Sequence, residues 1–225
     1  MTDCPKGAVP RPTAGALRLV EPSTADPQTI DVARYLEEMS AHCPYLSPSA
    51  ERRLTTWSVY QATGDRNAVE EGLFHACVDA AERLRSLMRR PHGLLRCENV
   101  VLLGEVPGVS HRDLLMWPHW ALTNLYSSVG IMFGKFCAGI EERTRSGART
   151  PASPVSFLPV RAAIRRRDPF FLHADPDLAA ALATADDEGR DVFASLSPSR
   201  DWTEIRTWAR HLLPPTRPLP PSGTP

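Results

Sequence analysis

Cys137 ends the apolar run Gly130-Ile131-Met132-Phe133-Gly134-Lys135-Phe136-Cys137, where a strand is expected to leave a core. A thiol there, ahead of an arginine-bearing loop, suits a thiolate ligand for a metal or haem. It also suits a nucleophile whose pKa is lowered by neighbouring cations. The plainer role is a small buried hydrophobe, which most free cysteines fill. Cys43, in His42-Cys43-Pro44-Tyr45, reads as helix punctuation, because the proline blocks continuation and holds the thiol at a turn. His119 lies between aromatic residues in Trp117-Pro118-His119-Trp120, beside a proline expected to kink or split its helix. Tryptophan walls fit a flat aromatic ligand; a half-buried helix residue is the other reading. His111 falls in the first turn of the same helix, where the macrodipole disfavours a cation. A lowered pKa there leaves a neutral imidazole able to ligate or to accept a proton.

The second group of residues is cationic. Arg161, Arg165, Arg166 and Arg167 follow or interrupt an apolar strand. Strand alternation sends Arg161 and Arg165 to one face and Arg166 to the other, so two guanidiniums can meet a carboxylate or a propionate. A solvated strand end explains the same residues. Lys6 and Lys135 are the only lysines, which makes Lys135, two residues before Cys137, stand out. The chain has no Gly-x-Gly-x-x-Gly, no phosphate-loop motif, no His-Glu-x-x-His and no Gly-x-Ser-x-Gly, so the nucleotide-binding and hydrolase classes have no motif support.

These residues need a scaffold, and 225 of them make one domain of ordinary size with tails to spare. Five cysteines at irregular spacing, without a Cys-x-x-Cys pair, argue against a disulfide framework or structural zinc and for the reducing cytoplasm. A formal net charge of zero argues against nucleic acid as the main partner. The chain carries no long apolar run and no secretory leader, so no membrane association is expected.

Residues 1–26, rich in Pro, Thr, Ala and Gly, read as a flexible amino-terminal segment, and 214–225 as a Pro-rich extended tail. Between them, 27–213 form a single domain. Asp26-Pro27 is expected to start a helix carrying Ile30, Ala33, Leu36 and Met39 on one face. A strand follows at Leu54–Gln61. Asn67 then caps a long helix with the stripe Val69, Leu73, Cys77, Ala80, Leu84, Leu87 and Met88. Glu98–Leu103 is a short buried strand, and Ser110 with Asp113 makes a capping box for the helix of His111 and His119. Strands at Ile131–Cys137 and around Val155–Ile164, then short helices at Pro176–Thr184 and Trp202–Leu213, complete the order. Helices between the first three strands imply parallel crossovers, with the last pair antiparallel. The class is α+β: a mixed sheet of about four to five strands with helices packed against it.

Three blocks resemble a bacterial and fungal family known only as a domain of unknown function. Its members carry Cys-Pro-Phe-Val-Pro, then Gly-Leu-Met-x-Gly-Glu-Phe-His, then Arg-Ser-Pro-Val-Pro-x-Leu-Ala-Ile-Arg-His. Cys43-Pro44-Tyr45-Leu46-Ser47-Pro48 is similar to the first and Gly130–Cys137 to the second. Ser153–Arg161 with Asp168-Pro169-Phe170-Phe171-Leu172 is similar to the third and its end. The chain departs from the pattern at polar positions, with Lys135 for Glu and Cys137 for His. A more distant similarity, to haem-dependent oxidative enzymes of antibiotic biosynthesis, implies haem as cofactor. On that resemblance Cys137 is the preferred axial and metal ligand and His119 or His111 the fallback. Arg161 or Arg165 then pairs with propionates or a substrate carboxylate. The expected activity is oxidation of a nitrogen-containing small molecule in specialised metabolism. The alternative is a cofactor-free metabolite-binding or accessory protein of a biosynthetic pathway. A homodimer is compatible with either.

Overall fold

A computed structural model of the chain describes residues 16–19, 28–143, 147–194, 196 and 201–212. Six strands and six α-helices are assigned among them. β1 (Ala16–Leu19) and β2 (Gln28–Asp31) pair antiparallel as a separate two-stranded ribbon. A segment expected to be loosely ordered therefore contributes a strand. The expected helix start at Asp26-Pro27 lies outside the described residues. The helix itself, α1 (Val32–Ser40), begins at Val32, where the Asp31 carboxylate accepts from Arg34 N at 3.0 Å. Its inward stripe is Val32, Tyr35, Leu36 and Met39, whereas Ala33 is exposed and Ile30 belongs to β2.

The main sheet has four strands in the order β3-β4-β6-β5. β3 (Thr55–Gln61) and β4 (Cys97–Leu103) are parallel. They are joined by α3 (Arg66–Met88), which Asp65 rather than Asn67 caps by accepting from Ala68 N at 2.9 Å. β6 (Ser156–Ala162) enters antiparallel between β4 and β5 (Ile131–Phe133), so the third strand in sequence becomes an edge. The result is the mixed sheet with packed helices expected from the sequence. β5 stops at Phe133 instead of reaching Cys137, for a reason written in its neighbour. Gly134 N donates to Pro159 O at 2.9 Å, but Pro159 has no N–H to return. The register resumes at Phe136, which exchanges both backbone bonds with Phe157. Gly134 is required at the interruption, since a β-carbon there would lie 2.7 Å from the Pro159 ring.

One face of the sheet carries the main core. Val100, Leu102, Leu158 and Val160 pack on Leu73, Phe74, Cys77 and Leu84 of α3 and on Leu115 and Leu122 of α4 (His111–Tyr126). α6 (Trp202–His211) adds Trp202, Ile205 and Ala209 to the same core, and Trp120 Nε1 donates to Ala209 O at 3.1 Å. Ser110 caps α4 as expected, accepting from Asp113 N, and the helix runs through Pro118 without splitting. α2 (Leu46–Glu51) and α5 (Pro176–Ala183) lie in the connections. The other face is thinner: Tyr35, Val101, Val155 and Phe157 form a small cluster with Met39, Trp57, Leu103 and Phe136 at its edge. No helix among the described residues is long and apolar enough to cross a membrane.

Candidate functional site

That thinner face encloses a cavity of about 1230 Å³. Strand alternation builds its floor: Trp57 of β3, Cys97 and Asn99 of β4, and Phe157, Pro159 and Arg161 of β6 all project from the side away from α3 and α4. Tyr35, Leu36 and Met39 of α1 form the roof, followed by His42 and Cys43 where the helix ends. The Gly93–Leu95 turn with Arg96, the loop from Glu142 to Thr150, and the segment from Ile164 to Leu172 close the sides. Aromatic packing stiffens the walls. Phe136 stacks on Phe157 at 5.0 Å between ring centroids, and Trp57 tilts against Phe157 at 5.2 Å.

The polar groups on the walls are of one dominant sign. Among the described residues, Arg96, Lys135, Arg143, Arg161 and Arg167 line the cavity against only Glu142 and Asp168 as carboxylates. Arg161 is already committed: its Nη1 and Nη2 donate to Asp168 at 2.7 and 3.0 Å, and Asp168 is fully buried. Arg96 Nε is buried without a hydrogen-bond partner, and Arg167 lies 6.0 Å over the Phe171 ring. Tyr35, 5% exposed, has no hydrogen-bond partner of good geometry for its hydroxyl, and burial raises its pKa to about 12. Ser153 interacts with that hydroxyl but gives its own proton to Val155 O. Asn99, nearly fully buried, donates to Thr56 O and accepts from the Cys97 thiol at 3.6 Å. Burial pushes the Cys97 thiol up to about 12, against the pull of Arg161.

The residues singled out from sequence divide sharply between the two faces. Cys137 is one residue past Phe136 and so points the other way, into the helix-packed core, where burial raises its thiol against the opposing pull of Lys135. His119 also lies on the helix side. Its Nε2 meets Phe133 O at 3.2 Å, and burial with the Lys135 charge pushes its pKa down to about 4. His111 has both ring nitrogens engaged, one with Ser156 Oγ at 2.9 Å and the other with Gly104 O at 2.8 Å. Ser156 Oγ also accepts from Ala138 N, so this histidine ties α4 to β6 and to the strand end. Arg165 is exposed and does not line the cavity. Of the expected set, only Arg161 reaches the site.

Sequence reasoning passed over Cys97 and Arg96, gave His42 no role, named Arg167 in the cationic group without a site role, and read Cys43 as punctuation. Cys43 is punctuation, since it follows the last turn of α1 with its N–H on Met39 O at 3.1 Å, but the turn also sets its residue against the cavity. Strand parity within β4 was the one available signal for Cys97: it shares a face with Asn99, Val101 and Leu103. Among the described residues, no group of three His, Cys, Asp or Glu side chains is arranged to hold a metal ion. No family model, curated protein or solved structure matches the chain, so the reading of this site rests on its own geometry.

Proposed function

We propose that the cavity binds haem and that the protein is a haem-dependent oxidative enzyme acting on a nitrogen-containing small molecule in specialised metabolism. One observation carries this reading: Cys43, uncommitted arginines and stacked aromatic walls meet in one space of about 1230 Å³. Sites for single small ligands run to roughly 300–1,000 Å³, so the volume leaves room for a planar cofactor and a substrate beside it. In this reading Cys43 takes the ligand role first assigned to Cys137. It is part-exposed on the cavity wall, whereas Cys137 faces the opposite side of the sheet. Cys97 is the poorer ligand, because a ligating sulfur must be deprotonated and burial holds this thiol neutral. Arg96 and Arg167 take the propionate role in place of Arg161, which Asp168 holds, and Arg165, which lies outside.

Haem, when bound, supplies the one-electron and oxygen chemistry that no side chain here offers. The chain's own residues bind and shield it. Trp57, Phe136 and Phe157 exclude water from the floor, Asn99 orients a polar group at it, and His42 lines the wall beside Cys43. Protein produced with iron and a haem precursor should show a Soret band. Its reduced carbonyl complex should show the long-wavelength band of thiolate ligation, lost in Cys43→Ala and kept in Cys137→Ala. An unchanged spectrum in Cys43→Ala would overturn that ligand assignment. A colourless protein that takes up no added hemin would overturn the haem reading itself. That result favours the cofactor-free metabolite-binding alternative.

A further inference from the structure

The mouth of the cavity carries an apolar rim that a ligand inside would leave uncovered. Tyr45, Leu94, Phe170 and Phe171 border the cavity yet stay 38%, 61%, 58% and 50% exposed. They sit on three segments: the turn before α2, the Gly93–Leu95 turn, and the short 3₁₀ turn Asp168–Leu172. Arginines flank two of the three. Arg90 and Arg96 bracket Leu94, and Arg165, Arg166 and Arg167 precede Phe170.

Arginines without an ion pair among the described residues also occur elsewhere, at Arg53, Arg89, Arg112, Arg143, Arg190 and Arg210, but at this rim five of them lie in sequence beside exposed apolar side chains. Arg34, Arg66, Arg83, Arg85, Arg149, Arg161 and Arg206 each meet a carboxylate. Among the described residues, Arg90, Arg96, Arg165, Arg166 and Arg167 form no ion pair, and the nearby Asp168 is taken up by Arg161. Two of the three segments that carry the exposed rim side chains thus also carry five arginines without an ion pair among the described residues. Aromatic residues beside arginine are the composition of an interface anchor, and contiguous exposed apolar surface marks docking sites.

We propose that this rim is a docking surface for an acidic protein segment that places an apolar side chain at the cavity mouth. The sign of the charge selects the partner. A second copy presenting the same face would oppose arginine to arginine, and a small anion inside the cavity would not cover Leu94 or Phe171. Arg96 and Arg167 are the arginines the haem reading gives to propionates, so the proposal rests on Arg90, Arg165 and Arg166, which do not line the cavity.

The test is selection of a random peptide library, displayed on phage, against the whole protein with and without added hemin. Recovered peptides are then synthesised and titrated by fluorescence polarisation. They should carry acidic residues around an apolar anchor. Their affinity should fall by at least about tenfold in R165E/R166E and in L94S/F171S, and also as salt is raised. Native melting temperatures in both variants keep a loss of binding separate from unfolding. Three results would each overturn the proposal: no selected peptide, a consensus without acidic bias, or affinities unchanged in both variants. Binding of phosphatidylserine vesicles in place of peptides would overturn it too, by assigning the rim to a lipid surface. None of these results touches the haem reading, which the absorption spectrum decides separately.

Discussion

Asp168→Ala tests the interaction that holds one wall of the cavity. The Asp168 side chain is 1% exposed and accepts three hydrogen bonds: from Arg161 Nη1 at 2.7 Å, from Arg161 Nη2 at 3.0 Å and from Ile164 N at 2.5 Å. Truncation leaves a half-buried guanidinium without its partner and a backbone N–H without an acceptor. Breaking a fully buried ion pair from one side costs about 3–5 kcal/mol. The Arg161 side chain is 32% exposed and can still reach water, so its share falls to roughly 2–3 kcal/mol. The orphaned N–H adds roughly 1 kcal/mol. Together these predict a loss of roughly 3–4 kcal/mol, or a fall in Tm on the order of 10 °C for a chain of this size. Asp168→Asn keeps an acceptor and should lose about half as much. Urea denaturation gives the free energy, and hydrogen exchange over residues 164–172 shows whether that segment, which carries Arg167 and Phe171, opens first. A loss below about 1 kcal/mol in Asp168→Ala would refute the reasoning, because the pair would then be no stronger than a surface salt bridge.

Two further outcomes follow from the same geometry. His119 is held neutral, its pKa pushed down from 6.5 to about 4, so the unfolded chain takes up the proton first. Its contribution is therefore complete above pH 6.5 and is lost as pH falls toward 4, by an amount on the order of 2 kcal/mol, since the residue is only half-buried. His119→Gln, which keeps a donor for Phe133 O, should flatten that part of the stability profile measured by urea titration; parallel profiles would count against it. Gly93→Ala should destabilise by about 3 kcal/mol, since its β-carbon would lie 2.2 Å from Met88 O and 2.6 Å from Leu87 O, backbone atoms that cannot step aside. A native melting curve for that variant would show that the turn before Arg96 yields more easily than its packing implies.

The sequence by itself determined most of the scaffold. The stripe Val69, Leu73, Cys77, Ala80 and Leu84 declared α3, the Ser110 and Asp113 pair declared the start of α4, and the β-branched and aromatic run at Thr55–Gln61 declared β3. These are local signals, carried by periodicity and by side chains that bond within four residues of themselves. Even the directions of the main strands followed from which connections contain helices. The insertion of β6 between β4 and β5 was not legible, because strand neighbours are chosen by packing across the whole sheet. That choice brings Pro159 against Gly134, ends β5 early and carries Phe136 and Cys137 to opposite faces.

The site depended on the same tertiary decision. Cys137, His119 and His111 were attractive as residue types, yet they share the face that α3 and α4 fill. Cys43, the adjacent pair Arg96 and Cys97, and Arg167 come from three separate segments and carry no common spacing. They meet only because α1, the Gly93–Leu95 turn and the turn after β6 cover the same face of the sheet. A sequence states what each side chain can do. Which face of a sheet it serves is settled by a one-residue alternation and by the neighbours that bury it, and that is where Cys137 was separated from the cavity.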